Sequence, residues 1–111
     1  MKHLTYAQKS LLVGDELADA LLEYAAMVAA SGGADNVEIR GYGVDGEEVV
    51  GTLMIGNGID LMAESTTSPL PEPDNAAALE YLRSRGAAIE KDNHHQPVPG
   101  DPSAFGQLDE R

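Results

Sequence analysis

Three apolar, β-prone runs lie between residues 37 and 65, separated by the dipeptides Asp45-Gly46 and Asn57-Gly58. Such pairs supply the φ > 0 positions that two-residue hairpin loops require, so the segment predicts a three-stranded antiparallel meander. With two-residue loops, Val44 faces Glu47 and Gly56 faces Ile59. Directly opposed residues share a face of the sheet. One face then carries Val37, Ile39, Val50, Thr52, Met54, Leu61 and Ala63. The other carries Glu38, Arg40, Tyr42, Val49, Leu53, Ile55, Asp60, Met62 and Glu64. The first is an apolar core face. The second is apolar in its middle and charged at its edges, and needs a helix or another subunit to cover it. In this register Arg40 and Glu64 reach toward each other over Gly51, and an ion pair between them is expected.

Helical patterns flank the meander. Thr5-x-x-Gln8 has capping-box spacing and Ser31-Gly32-Gly33 is a stop. Between them Tyr6, Val13, Leu17, Leu21, Tyr24 and Val28 recur at 3.6-residue spacing, with Asp15, Asp19 and Glu23 opposite, which predicts one long helix. Leu11, Ala18, Leu22 and Ala25 add a second apolar strip beside the first. After a proline-punctuated loop from Thr66 to Pro73, Asp74 is placed to cap a second helix carrying Ala78, Leu79 and Leu82 and ending near Gly86. The expected fold is α+β, in the order α-β-β-β-α with the second helix shorter than the first, over a single domain of residues 1–91. Residues 92–111, rich in Pro, Gly and polar residues, read as a tail that is flexible or strapped to the domain.

Charge narrows the functional classes. Nineteen acids against seven bases give a net charge of −12, and half of that excess falls on residues 35–65, where seven acids face only Arg40. That sign repels phosphate backbones and anionic lipids, so direct nucleic-acid or membrane binding is not expected. The apolar stretch from Leu11 to Ala30 contains Asp15, Glu16, Asp19 and Glu23, which disqualifies it as a membrane span or a secretory core. No cysteine is present, which removes disulfides, thiolate metal sites and cysteine nucleophiles. The expected location is cytoplasmic.

Candidate chemistry is thin. Gly41-Tyr42-Gly43-Val44-Asp45-Gly46 spells GxGxxG, but a dinucleotide site needs a helix after it, and here a turn and another strand follow. Asp92-Asn93-His94-His95 has the ligand types of a metal site without a rigid frame. Glu64-Ser65-Thr66-Thr67-Ser68 offers hydroxyls with no base to activate them. Asp60 and Glu64 share a face but lie about 13 Å apart along a strand, too far to act across one bond. The order helix–strands–helix coincides with that of double-stranded-RNA-binding domains. Those contact phosphates with basic residues at the second helix, whereas this segment begins Pro71-Glu72-Pro73-Asp74.

No cofactor is expected, and an enzyme is not the leading reading. That reading is a small acidic interaction or homo-oligomerisation module whose partner is itself, as a homodimer, or another protein. The expected contact residues are Tyr42, Leu53 and Met62 on the second sheet face with Arg40 and Glu64 at its margin, or Leu11 and Leu22 on the first helix. Two alternatives are an acidic decoy for a basic nucleic-acid-binding protein, and a small enzyme or ligand carrier with a pocket between the sheet and loop 64–73.

Overall fold

Gly14 divides what the periodicity joins. The computed structural model describes residues 1–95, with side-chain surroundings through Lys91. In it the helix α1 (Asp15–Ala30) begins only after Gly14, and the residues before it form a hairpin of β1 (Lys2–Tyr6) and β2 (Lys9–Val13). The register Tyr6↔Lys9 leaves Ala7-Gln8 as a two-residue loop. Ala7 takes φ 56, the only positive value at a non-glycine residue among those described. The apparent capping box is therefore a cross-strand arrangement, in which Thr5 opposes Ser10 with their hydroxyls 2.9 Å apart. Leu4, Leu11 and Val13 enter the core by strand alternation. From Leu17 onward the helical reading holds, and Leu17, Leu21, Tyr24 and Val28 are buried.

Local chemistry explains where α1 starts and stops. Gly14 has no side chain to cap the helix, and the Glu72 carboxylate occupies the space that a Cβ there would take. Together with Asp15 and Glu16 it sets negative charge at the positive end of the helix dipole. At the other end Gly32, at φ 75, donates to the Ala29 carbonyl and Gly33 to that of Val28, a glycine-terminated stop.

The sheet is five-stranded and antiparallel among the described residues, in the order β4-β3-β2-β1-β5, with β3 (Ala34–Tyr42), β4 (Glu48–Gly56) and β5 (Leu61–Ser65). The meander expectation fails in two ways. First, Tyr42 opposes Glu48, so the β3–β4 register is shifted by one residue from the one expected. The loop closes with Gly43 N–H donating to the Glu47 carbonyl and Gly46 at φ 82, which makes Val44-Asp45-Gly46 a three-residue bulged turn. A slip of one residue turns every side chain over. Val49, Gly51, Leu53 and Ile55 therefore join Val37 and Ile39 on the core face, while Val50, Thr52 and Met54 face out. Second, Asn57-Gly58 does make a tight turn, with Gly58 at φ 84 and the Ile59 N–H directed at the Gly56 carbonyl, but no ladder follows. β5 crosses to the opposite edge and pairs with β1, Leu4 facing Ala63 and Tyr6 facing Leu61.

β2 and β3 touch through a single bridge, Leu12↔Tyr42, and then splay apart. The gap would leave the main chain of Arg40 unpaired. Asn75 fills it: its Nδ2 donates to the Arg40 carbonyl and its Oδ1 accepts the Arg40 N–H, each at 2.8 Å. Asn75 is 8 % exposed, so the pair is a buried side-chain substitute for a missing strand. The same strap is tied by the Tyr42 hydroxyl, which donates to the Pro71 carbonyl at 2.6 Å. The helix α2 (Ala76–His95) follows directly, its first turn held by the Asp74 carboxylate accepting the Ala76 N–H at 3.1 Å.

Helix α2 packs along α1 through Leu82, and Tyr24 meets Tyr81 edge-on with centroids 6.4 Å apart. Gly86, expected as a stop, is a packing position: a Cβ there would sit 3.4 Å from the Met27 sulfur. The helix runs on to His95, four residues into the expected tail. At 20 residues it is longer than the 16-residue α1 and not shorter as expected, because β1 and β2 take the first part of the expected long helix and Gly86 does not stop α2. The remainder of the expected tail, 96–111, lies outside the described residues.

Candidate functional site

One long sheet edge carries no device against pairing. Hydrogen-bonded pairs alternate along an antiparallel ladder. Because Gly43 bonds to Glu47, the main-chain groups of Glu48, Val50, Thr52 and Met54 point away from β3. Natural edges are usually blunted by lysine, proline, a bulge or shortness. β4 is nine residues long, and Val49–Gly56 contains neither charge nor proline. Its outward side chains Val50 and Met54 are 51 % and 55 % exposed. One contact is made within the chain: the Tyr6 hydroxyl donates to the Met54 carbonyl at 3.0 Å, engaging one of that oxygen's two lone pairs. The opposite edge contrasts with it. β5 has five residues, Glu64 among them, and follows Asp60.

The concave face of the sheet is unevenly filled. α1 covers one end over Val37, Ile39 and Ile55. Toward the tips of the two hairpins a hollow of about 840 Å³ remains open, with Leu4, Leu11 and Leu53 at its base and Tyr6, Lys9, Val49 and Thr52 around it. Gly51 keeps the wall thin, since a Cβ there would stand 3.3 Å from a Leu11 methyl. The hollow does not lie beside loop 64–73, which is tied to the sheet where the Tyr42 hydroxyl donates to the Pro71 carbonyl.

The residues expected to form a contact surface do not come together. Leu53 is buried on the concave face, whereas Tyr42 and Met62 belong to the convex one. Leu11 lies on β2 and Leu22 on α1, half-buried near Ile59 and Leu61, so they form no common helical flank. The Arg40–Glu64 pair fails as well. β2 and β1 stand between their strands, three strand spacings or about 14 Å in all, and Arg40 instead approaches Glu48 at 3.7 Å. Glu64 opposes His3 on β1.

A polar cluster that no motif announces ties the helices to β3. Asp35 Oδ2 accepts the Tyr24 hydroxyl at 2.5 Å and the Tyr81 hydroxyl at 2.6 Å, while its Oδ1 accepts the Asn36 N–H at 2.8 Å. Burial, and then the hydrogen bond to Asp35, push the Tyr24 phenol up to about 12. Burial would raise Asp35, but the bonds from Tyr24, Tyr81 and Asn36, with Arg85 nearby, hold it below the ordinary carboxylate value. The two shifts act at opposite ends of the pH scale. Stability from Tyr24 is fully present below pH 10 and drains away between pH 10 and about 12, as the unfolded chain ionises first. Stability from Asp35 is present above its ordinary value of 3.8 and is lost as pH falls through its lowered one. In an ultraviolet titration of the four tyrosines, the latest phenolate to appear should vanish in Tyr24→Phe. Retention of that late step in the variant would assign it elsewhere.

Among the described residues no group of three or more His, Cys, Asp or Glu is arranged to hold a metal ion, and no helix is long and apolar enough to cross a membrane. The side chains of Asp92–His95 lie outside the described set. No family model, no curated protein and no solved structure matches the chain.

Proposed function

We propose that the chain is a non-enzymatic self-association module whose docking edge is β4, taking the β4 of a second copy antiparallel. The observation that carries this reading is the nine-residue edge with its outward main-chain groups and its uncharged run from Val49 to Gly56. Adding a strand satisfies those groups and buries Val50 and Met54 together. The strand is also suited to meet itself about a two-fold axis. With Thr52 opposite Thr52 of the second copy, Val50 faces Met54, Val49 faces Ile55 and Glu48 faces Gly56. No like charges are opposed, which matters in a chain of net charge −12 where most other surface pairings would repel.

Thr52→Pro tests the edge directly. The Thr52 N–H points away from β3, so proline removes no bond of the β3–β4 ladder while blocking an incoming strand. Sedimentation equilibrium should give twice the chain mass for the unsubstituted protein and the single mass for Thr52→Pro, with unchanged far-ultraviolet circular dichroism. A protein that stays monomeric at tens of micromolar, or a variant that still dimerises, would overturn the proposal.

A further inference from the structure

The hollow at the hairpin tips has a chemistry of its own. Its base is aliphatic, from Leu4, Leu11 and Leu53, and its volume of about 840 Å³ falls in the range of roughly 300–1,000 Å³ typical of small-molecule sites. Lys9 shares the concave face, opposite Tyr6 on the neighbouring strand. Bases are scarce in this chain, and Lys2, Arg40 and Arg83 are each joined to an acid: Asp19, Glu48 and Glu16. Among the described residues Lys9 has no carboxylate within ion-pair distance. An unmatched ammonium therefore stands at the mouth of an apolar hollow.

We infer that this hollow binds an aliphatic monocarboxylate, with the hydrocarbon chain against Leu11 and Val49 above the buried Leu4 and Leu53, and the carboxylate at Lys9. Two features choose this class over others. The base is made of leucines, which suits an alkyl chain. One cation matches one negative charge, whereas a phosphate dianion or a nucleotide would find no second base and would meet Asp45 at the rim. The site lies on the concave side of β4 and does not depend on that strand's edge being paired.

Amide shifts of the full chain, titrated with decanoate and separately with 1-decanol, test the inference. Decanoate should give saturable shifts confined to residues lining the hollow, Leu4, Leu11, Gly51 and Leu53 among them. Lys9→Met should weaken decanoate about tenfold, the scale of one charge-assisted hydrogen bond, and leave decanol unchanged. Val49→Trp, at a part-exposed position beside the hollow, should fill it and remove both ligands without disturbing the fold. The inference is overturned if decanoate produces no saturable shift, if the shifts fall outside the hollow, or if Lys9→Met binds decanoate as the unsubstituted chain does. Weakening of decanol by Lys9→Met to the same degree would also overturn it, since the lysine would then be acting on packing and not on charge.

Discussion

Asn75→Ala should lower the unfolding free energy by about 2–4 kcal/mol, the cost of leaving a buried donor and a buried acceptor without partners. The two groups are the N–H and carbonyl of Arg40, each held at 2.8 Å by the Asn75 amide in the gap where β2 leaves β3. Urea denaturation followed by circular dichroism gives the magnitude, and Asn75→Asp gives the mechanism. Aspartate keeps the acceptor for the Arg40 N–H, but its ionised second oxygen faces the Arg40 carbonyl. Protonation would turn that oxygen into a donor. The deficit of Asn75→Asp relative to the unsubstituted protein should therefore be large at neutral pH and shrink as pH falls through the carboxylate range. A loss under about 0.5 kcal/mol for Asn75→Ala would mean that water replaces the amide, and that the strap is not what holds the splayed strands.

Leu21→Ala should cost about 3–4 kcal/mol, within the range for leucine truncation in a close-packed core. Leu21 is fully buried on α1, in the cluster that joins the helix to the concave face of the sheet. Small domains have only about 5–15 kcal/mol in hand, so the variant should unfold at a much lower urea concentration. Val50→Ala supplies the contrast. Val50 faces outward at 51 % exposure, and its truncation should be near neutral for the isolated chain while weakening self-association. A Leu21→Ala loss below about 1.5 kcal/mol would show that the neighbouring side chains close over the cavity. If Val50→Ala proved the more damaging of the two under monomeric conditions, the assignment of the two sheet faces would be wrong.

The sequence by itself determined the α+β class, the buried face of α1 and the places where glycine turns the chain. Leu17, Leu21, Tyr24 and Val28 recur at helical spacing and are buried as that spacing requires, because the periodicity of a helix is a property of its own chain. Gly32, Gly46 and Gly58 all take the positive φ that their turns demand, for the same local reason. The net charge of −12 and the uncharged stretch from Val49 to Gly56 are likewise legible without coordinates.

Tertiary structure decided what those local pieces were connected to. The Ala7-Gln8 turn carries no glycine or asparagine, so the chain has no mark there to separate a β-hairpin from the first turns of a helix; Tyr6 and Val13 fit either period. Gly46 marks a turn but does not say whether its loop has two or three residues. That one residue decided whether Leu53 or Val50 faced the core. Asn57-Gly58 turns the chain without choosing a partner for the strand that follows. Once β1 exists as a free edge, β5 pairs with it and not with β4, and the outer edge of β4 is left without a strand partner. The hollow by Lys9, the amide of Asn75 across the strand gap and the shared carboxylate of Asp35 all join residues distant in sequence. Their placement follows from strand order and packing, which act between segments and leave no periodic trace in any one of them.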